Sequence, residues 1–296
     1  MQIERRYLSS FSRIFSPMVL DGIIQNNDSK YLRELLSLSG MSEQMDMSIS
    51  LSKFFDGVYW YLFRNYRNEY VYKNAIANKI LLGRHSLNTS NMLTEFRVNE
   101  CKADVVIING TMTVYEIKTE LDSFSRLEKQ IGTYFDFFEY VYVVTSASQV
   151  NRLCEILPAA AGILVLTDRN TIKTVRNAIS NKENVKREVM FDSLRQPEYT
   201  RIIKEYFVKL PEVPNTMIFR ECKKLFCEIP LDEALNLVKE VLKERRNDKV
   251  LKSFIHEVPD SLYAYGISLG EDRKKLESII RSMSLSIDEV VNPKLN

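Results

Sequence analysis

The chain has 296 residues, 45% hydrophobic and 27% charged, a composition that suits a folded chain with a substantial core and excludes an intrinsically disordered one. Forty-one basic residues against 39 acidic ones leave a formal charge of +2, so net charge excludes no partner, and a local basic patch can still hold nucleic acid. No run reaches the roughly 18 to 20 apolar residues of a membrane span, and MQIERRYLSS lacks the apolar segment of a secretion signal, so a cytoplasmic protein without membrane contact is expected. Cys101, Cys154, Cys222 and Cys227 are scattered and the histidines are His85 and His256 alone, which argues against a zinc site and for reduced thiols.

Residues 1–82 read as helical. Ser16-Pro17 is a helix start, with serine at the cap and proline at the first helical position, where its missing N–H costs nothing. In GVYWYLFRNYRNEYVYK, residues 57–73, the rings of Tyr59, Phe63, Tyr66 and Tyr70 fall on one helical stripe, with Arg64 and Arg67 between them. Packing of that stripe on a core is the expectation, and stacking of bases on it is the alternative.

Near residue 93 the periodicity changes from the helical one. Segments 95–98, 103–109 and 113–119 read as three short strands joined by tight turns, hence an antiparallel meander. A helix over 122–138 follows, with Phe124, Leu127, Ile131 and Phe138 on one face, then a strand at 140–145, a helix at 148–157 and a strand at 162–167. The helix between the third and fourth strands makes a crossover and therefore some parallel pairing. Beyond 170, helices are expected over 197–210, 218–227, 231–246 and 271–284, punctuated by Pro211, Pro214, Pro230 and Pro259. The chain is thus read as α/β, with a helical N-terminal region (1–82), a mixed-sheet core (83–180) and a helical C-terminal region (181–296). It shows no repeat and no low-complexity linker, so the ends are expected to pack onto the core.

Two of these strands carry charge in otherwise apolar runs. Glu116 and Lys118, two apart, share a strand face, and a hairpin of the second and third strands brings Asp104 to them. Adjacent carboxylates repel unless they are protonated or bridged by a cation, and hard oxygen ligands suit Mg2+ or Mn2+. A lysine beside such a cation can position water or stabilise charge developing on a phosphate. The structural alternative is a Glu–Lys pair on a solvated face, with Asp104 capping a strand.

Asp104 followed by Glu116-Ile117-Lys118 in a hairpin, then a helix and a strand, resembles the PD-(D/E)XK nuclease superfamily. Ala103 stands where the motif's name has proline. Gln130 and Tyr134, on the helix after the lysine, resemble the QxxxY signature of the RecB-like branch. LGRHSL, LTEFRV, KADVVIING and YEIKTE, in that order, are similar to a group of bacterial proteins classed as nucleases. The resemblance runs over residues 81–170. It implies a restriction-endonuclease-like αβββαβ core and metal-dependent hydrolysis of phosphodiesters, with DNA as the expected partner. Asp104 and Glu116 would hold Mg2+ or Mn2+ with the carbonyl of Ile117, Lys118 would serve the attacking water, and Glu95 would add a carboxylate. Gln130 and Tyr134 would touch the metal site or a substrate phosphate. It also implies a mobile-element, phage-defence or repair context. Two readings stay open beside it: an RNA-processing nuclease, and a module on a nuclease-like fold that binds nucleic acid or protein without cutting. A protein partner or a homodimer is equally open.

Other segments carry weaker signals. Glu120 and Asp122 read as acids at the N-terminus of the following helix. RNTIKTVRNAISNKENVKR, residues 169–187, puts Arg169, Lys173 and Arg176 on one face if helical, a candidate phosphate-tracking patch or a solvated face. His85, beside Arg84, is read as a loop or capping residue. Gly266-Ile267-Ser268-Leu269-Gly270 matches a hydrolase nucleophile elbow, but no histidine follows it.

Overall fold

Six strands line up in chain order in one sheet: β1 (Asn91–Val98), β2 (Cys101–Ile108), β3 (Met112–Lys118), β4 (Tyr140–Thr145), β5 (Gly162–Leu166) and β6 (Ile172–Arg176). The computed structural model that shows them describes residues 2–26, 28–85, 87, 89–245, 248–270 and 272–293. β1, β2 and β3 form the expected antiparallel meander. The Leu127–Phe135 helix then crosses over, so that β4 pairs parallel with β3 and β5 parallel with β4. The fold is therefore mixed α/β, as the alternation of patterns requires. The reversal between β2 and β3 uses Gly110 at φ 100°, a region that side chains with a Cβ rarely adopt.

Both faces of the sheet are covered. Val105, Ile107, Tyr115, Ile117, Val144 and Leu164 pack into one cluster with the helices of the first 84 residues and with those from Asp248–Glu257 to Ile287–Val291. Val106, Ile108, Val114, Val143 and Ile163 pack into another, with the Leu127–Phe135 helix and the helices between Arg187 and Lys243. Coverage on both sides explains why β3 and β4 read as nearly continuous apolar runs. The C-terminal region is thus divided between the two faces, and its last third shares a layer with the N-terminal helices. Among the described residues no helix is long and apolar enough to cross a membrane.

Several elements depart from the sequence reading. The aromatic stripe is two helices, Leu51–Asn65 and Glu69–Ile76, because the chain breaks at Tyr66–Asn68. Tyr59 and Phe63 are buried as expected, and Tyr70 stacks on Phe15. Residues 172–176 form edge strand β6 and not a helix, since Ile172, Thr174 and Val175 are β-branched and pair antiparallel with β5. The helix expected over 122–138 is shorter, Leu127–Phe135. Helices Arg187–Asp192, Asp248–Glu257, Tyr263–Ser268 and Ile287–Val291 had not been expected. Residues 246 and 271, at the ends of two expected helices, lie outside the described residues. Gly266 sits inside the Tyr263–Ser268 helix, where an added Cβ would stand 2.1 Å from the Phe254 ring, so it serves packing and not a nucleophile elbow.

Candidate active site

Strands β1 and β2 lose their alternation at the same level. Leu93 and Phe96, three apart, pack into the same cluster, and so do Ala103 and Val106. A strict period of two would put the members of each pair on opposite faces. The break falls at Glu95, whose φ is 56°, and at Asp104, which lies opposite it between the pairs Thr94↔Val105 and Phe96↔Ala103. A left-handed backbone at a residue with a Cβ costs about 1–2 kcal/mol, so its neighbours must hold it there.

The distortion brings acids together. Carboxylate oxygens of Glu69, Glu95 and Asp104 all lie within 4.8 Å of one another. Glu69 comes from the first turn of the Glu69–Ile76 helix and was missed in the sequence, as was Lys73 one turn later. Their spacing of four on a helix was the one available signal, and it reads equally well as a surface pair. Lys73, with 13% of its side chain exposed, bonds Glu69 at 2.5 Å and also reaches Glu95, while Lys102 reaches Glu95 at 2.7 Å. Asp104 additionally accepts from the backbone N–H of Ile117 at 2.7 Å, just beyond the last ladder pair, Val105↔Tyr115. The carboxylate takes the place of a strand partner where β2 and β3 part, and this anchors Asp104 to the Glu116-Ile117-Lys118 segment.

Glu116 lies deeper, 1% exposed. Its Oε1 accepts from Lys118 Nζ at 2.8 Å and from Gln130 Nε2 at 2.6 Å, and its Oε2 accepts from the Tyr134 hydroxyl at 2.8 Å. Gln130 turns its own Oε1 to Lys118 Nζ at 3.1 Å, so both ends of the amide are satisfied. Gln130 and Tyr134 are one turn apart on the crossover helix, which presents both to the end of β3. The expected quartet of Glu116, Lys118, Gln130 and Tyr134 is therefore assembled, with Asp104 beside it.

The electrostatics follow from crowding. Burial, with the charges of Glu116 and Glu69, holds the Asp104 carboxyl well above the usual carboxylate range. Burial also pushes Glu116 up, against the pull of Lys118, Tyr134 and Gln130. Glu95 goes the other way, because Lys102 and Lys73 together outweigh the burial that would raise it. The Tyr134 hydroxyl is raised by burial and by Glu116, which keeps it a donor.

Other predicted residues lie elsewhere. Lys173 is exposed on β6, and Arg176 donates to the carbonyls of Ala161 and Pro158 at 2.8 and 3.1 Å, three strands from β3 in the sheet. Their shared helical face does not form. Asp122 accepts from the backbone and hydroxyl of Thr119 in a turn, and Glu120 accepts from Ser148, so neither sits at the helix start. His85 lies 2.9 Å from the Asn109 amide, at the other end of β2 from Asp104.

Comparison with known proteins adds kinship. Residues 63–262 match the family model described as Bacteriophage P4 protein cII, more than half of the chain. The chain belongs to the bacteriophage P4 protein cII family. A curated relative, Protein cII of Enterobacteria phage P4, is 29% identical over 84 residues, which are 28% of this chain and 31% of that protein. No solved structure matches. The P4 cII match takes in every residue of the acidic site, including Glu69 and Lys73, and leaves out the first helices.

Proposed function

We propose that this protein is a metal-dependent nuclease that hydrolyses phosphodiester bonds in DNA. The observation that carries the reading is the convergence of Glu69, Glu95 and Asp104 within 4.8 Å, next to the buried Glu116–Lys118–Gln130 network. The strand order is in keeping with it: an antiparallel β1–β2–β3 meander, a crossover helix and β4 parallel to β3 are what a restriction-endonuclease-like PD-(D/E)XK core needs. Membership in a family named for a bacteriophage protein fits a mobile-element or phage-defence context.

The donor set suits the cation. It is all carboxylate oxygen, the preference of Mg2+ and Mn2+, and burial, with the neighbouring charges of Glu116 and Glu69, already raises the Asp104 carboxyl there. Asp104 and Glu116 would hold the ion, with Glu69 and Glu95 as further oxygens. A bound Mg2+ or Mn2+ supplies Lewis acidity toward the phosphodiester. Lys118, steered from two sides by Glu116 and Gln130, presents its ammonium where charge develops on a phosphate or an attacking water.

A second reading, a nucleic-acid-binding module that does not cut, is favoured by the internal pairing of two of the acids. Lys73 and Lys102 already neutralise Glu95, and Glu116 has donors on both oxygens. Purified protein incubated with plasmid, linear and single-stranded DNA, and with RNA, in Mg2+, Mn2+ or EDTA separates the two. Cleavage should require the metal and should vanish in Asp104→Ala and Lys118→Ala while circular dichroism stays native. Undiminished cutting by Lys118→Ala, or cutting in EDTA, removes the assignment.

A further inference from the structure

Along the outer side of the Leu51–Asn65 helix run two clefts, of about 570 and 450 Å3, that share Arg64 and Asp168. Half-buried Trp60 walls the first, together with Lys79 and Arg169. The second is walled by Arg5 and by Glu120 and Leu121, which directly follow β3. Trp60 is held by edge-on contacts with Tyr59 and Phe63, both at 5.5 Å between ring centres, so its plane is set by the core beneath it.

The charge on this surface is unbalanced. Arg67 is committed to Asp168 at 2.6 Å and to the carbonyls of Phe63 and Leu166, which neutralises Asp168. Among the described residues, the side chains of Arg5, Arg64, Lys79 and Arg169 have no hydrogen bond or ion pair. Against these cations stands Glu120, which accepts from Ser148. The groove lies at the carboxyl ends of β3 and β5, the edge where open α/β sheets receive ligands. The helix that sends Lys73 to the acids begins two residues beyond Arg67.

We propose that the two clefts form one groove for single-stranded nucleic acid. A base stacks on Trp60, Arg64 and Arg169 take phosphates, and the strand passes Glu120 toward Lys118. An aromatic ring set in a cleft among free cations matches unpaired bases on a phosphate backbone; in a duplex the base faces are covered by their neighbours. Binding rests on the groove alone, and the path to Lys118 rests on the nuclease reading above.

Trp60 is the chain's single tryptophan, so its fluorescence reports this groove alone. The full-length protein is titrated in EDTA with a short single-stranded DNA, the equivalent RNA and a blunt duplex. The single strands should quench Trp60 saturably and the duplex should not; running both sugars shows which strand the groove prefers. Trp60→Leu should weaken binding about ten-fold or more, followed by anisotropy of a labelled strand. Arg64→Gln and Arg169→Gln, at exposed positions, should weaken unrelated sequences alike and lower the log–log salt slope by about one unit each. Absence of quenching, equal quenching by duplex, or an unchanged salt slope in both arginine variants overturns the groove. Metal-dependent cleavage without quenching overturns the groove and leaves the nuclease reading standing; quenching without cleavage does the reverse.

Discussion

Glu116 has both carboxylate oxygens engaged inside the protein, and Tyr134 is the donor to Oε2. Tyr134→Phe removes the hydroxyl and keeps the ring, leaving a buried acid oxygen short of that donor. Urea unfolding should show a loss of about 1–3 kcal/mol with the native spectrum retained. Gln130→Ala should act differently, since it releases Lys118 from one of its two guides; cleavage should fall far more than melting temperature. Normal activity per folded molecule in that variant would make Gln130 structural. Asp104 sets a pH dependence. Its folded pKa is raised, so the folded chain holds more protons than the unfolded one above about pH 3.9, and its contribution to stability falls as pH rises from there through the raised value. In EDTA, the parent should therefore lose melting temperature relative to Asp104→Asn as pH rises through that window. Mg2+ or Mn2+ should recover more of the loss at neutral than at acid pH. A parent that gains on Asp104→Asn with rising pH contradicts the crowded-acid account.

At the scale of elements, β1 and β2 keep register while changing face, and the backbone at Glu95 absorbs the change. Glycine is ordinarily poor in a strand, yet it takes φ 56° without strain. Glu95→Gly and Glu95→Ala both lose the ion pairs to Lys73 and Lys102, so their difference isolates the backbone. The glycine variant should be the more stable by about 1 kcal/mol in denaturant, the reverse of the usual order in strands. If alanine is the more stable, the left-handed turn is not what that position demands. The Tyr263–Ser268 helix presents a second steric case. An added methyl at Gly266 meets the fully buried Phe254 ring, which has no room to yield, so Gly266→Ala should cost about 1–3 kcal/mol in thermal or urea unfolding.

At the scale of the molecule, the sheet is a middle layer and each face belongs to a different set of helices. Residues 83–180 contain all six strands but only part of either cover. Expressed alone, that segment would expose Val105, Ile107, Tyr115 and Leu164 on one side and would lack Glu69 and Lys73. It should bind a hydrophobic dye and give no cooperative melt, whereas the full chain should melt in one transition. A cooperatively folding 83–180 fragment would show that the flanking helices are accessories. The acidic site itself is built across this layering, with Glu95, Asp104, Glu116 and Lys118 from the sheet, Gln130 and Tyr134 from one covering layer, and Glu69 and Lys73 from the other.

Much of this was legible locally. Short β-rich apolar runs marked β2, β3, β4 and β5, the glycine turn marked the hairpin, and the Asp104…Glu116-Ile117-Lys118 spacing brought those residues together, because strand pairing and side-chain alternation are determined by near neighbours. Gln130 and Tyr134 were singled out by their resemblance to the QxxxY signature; their spacing by itself placed them only on one face of the next element. β6 was not, since an edge strand with one side in water tolerates the lysine and arginine that masked its β-branched residues. The slip at Glu95 left a trace, Leu93 and Phe96 three apart, that period-two reading passed over. Glu69 and Lys73 were beyond reach. A helical period says that a face is buried but not which strand it covers, and only the packing of the Glu69–Ile76 helix against β3 made those two residues neighbours of Glu95 and Asp104.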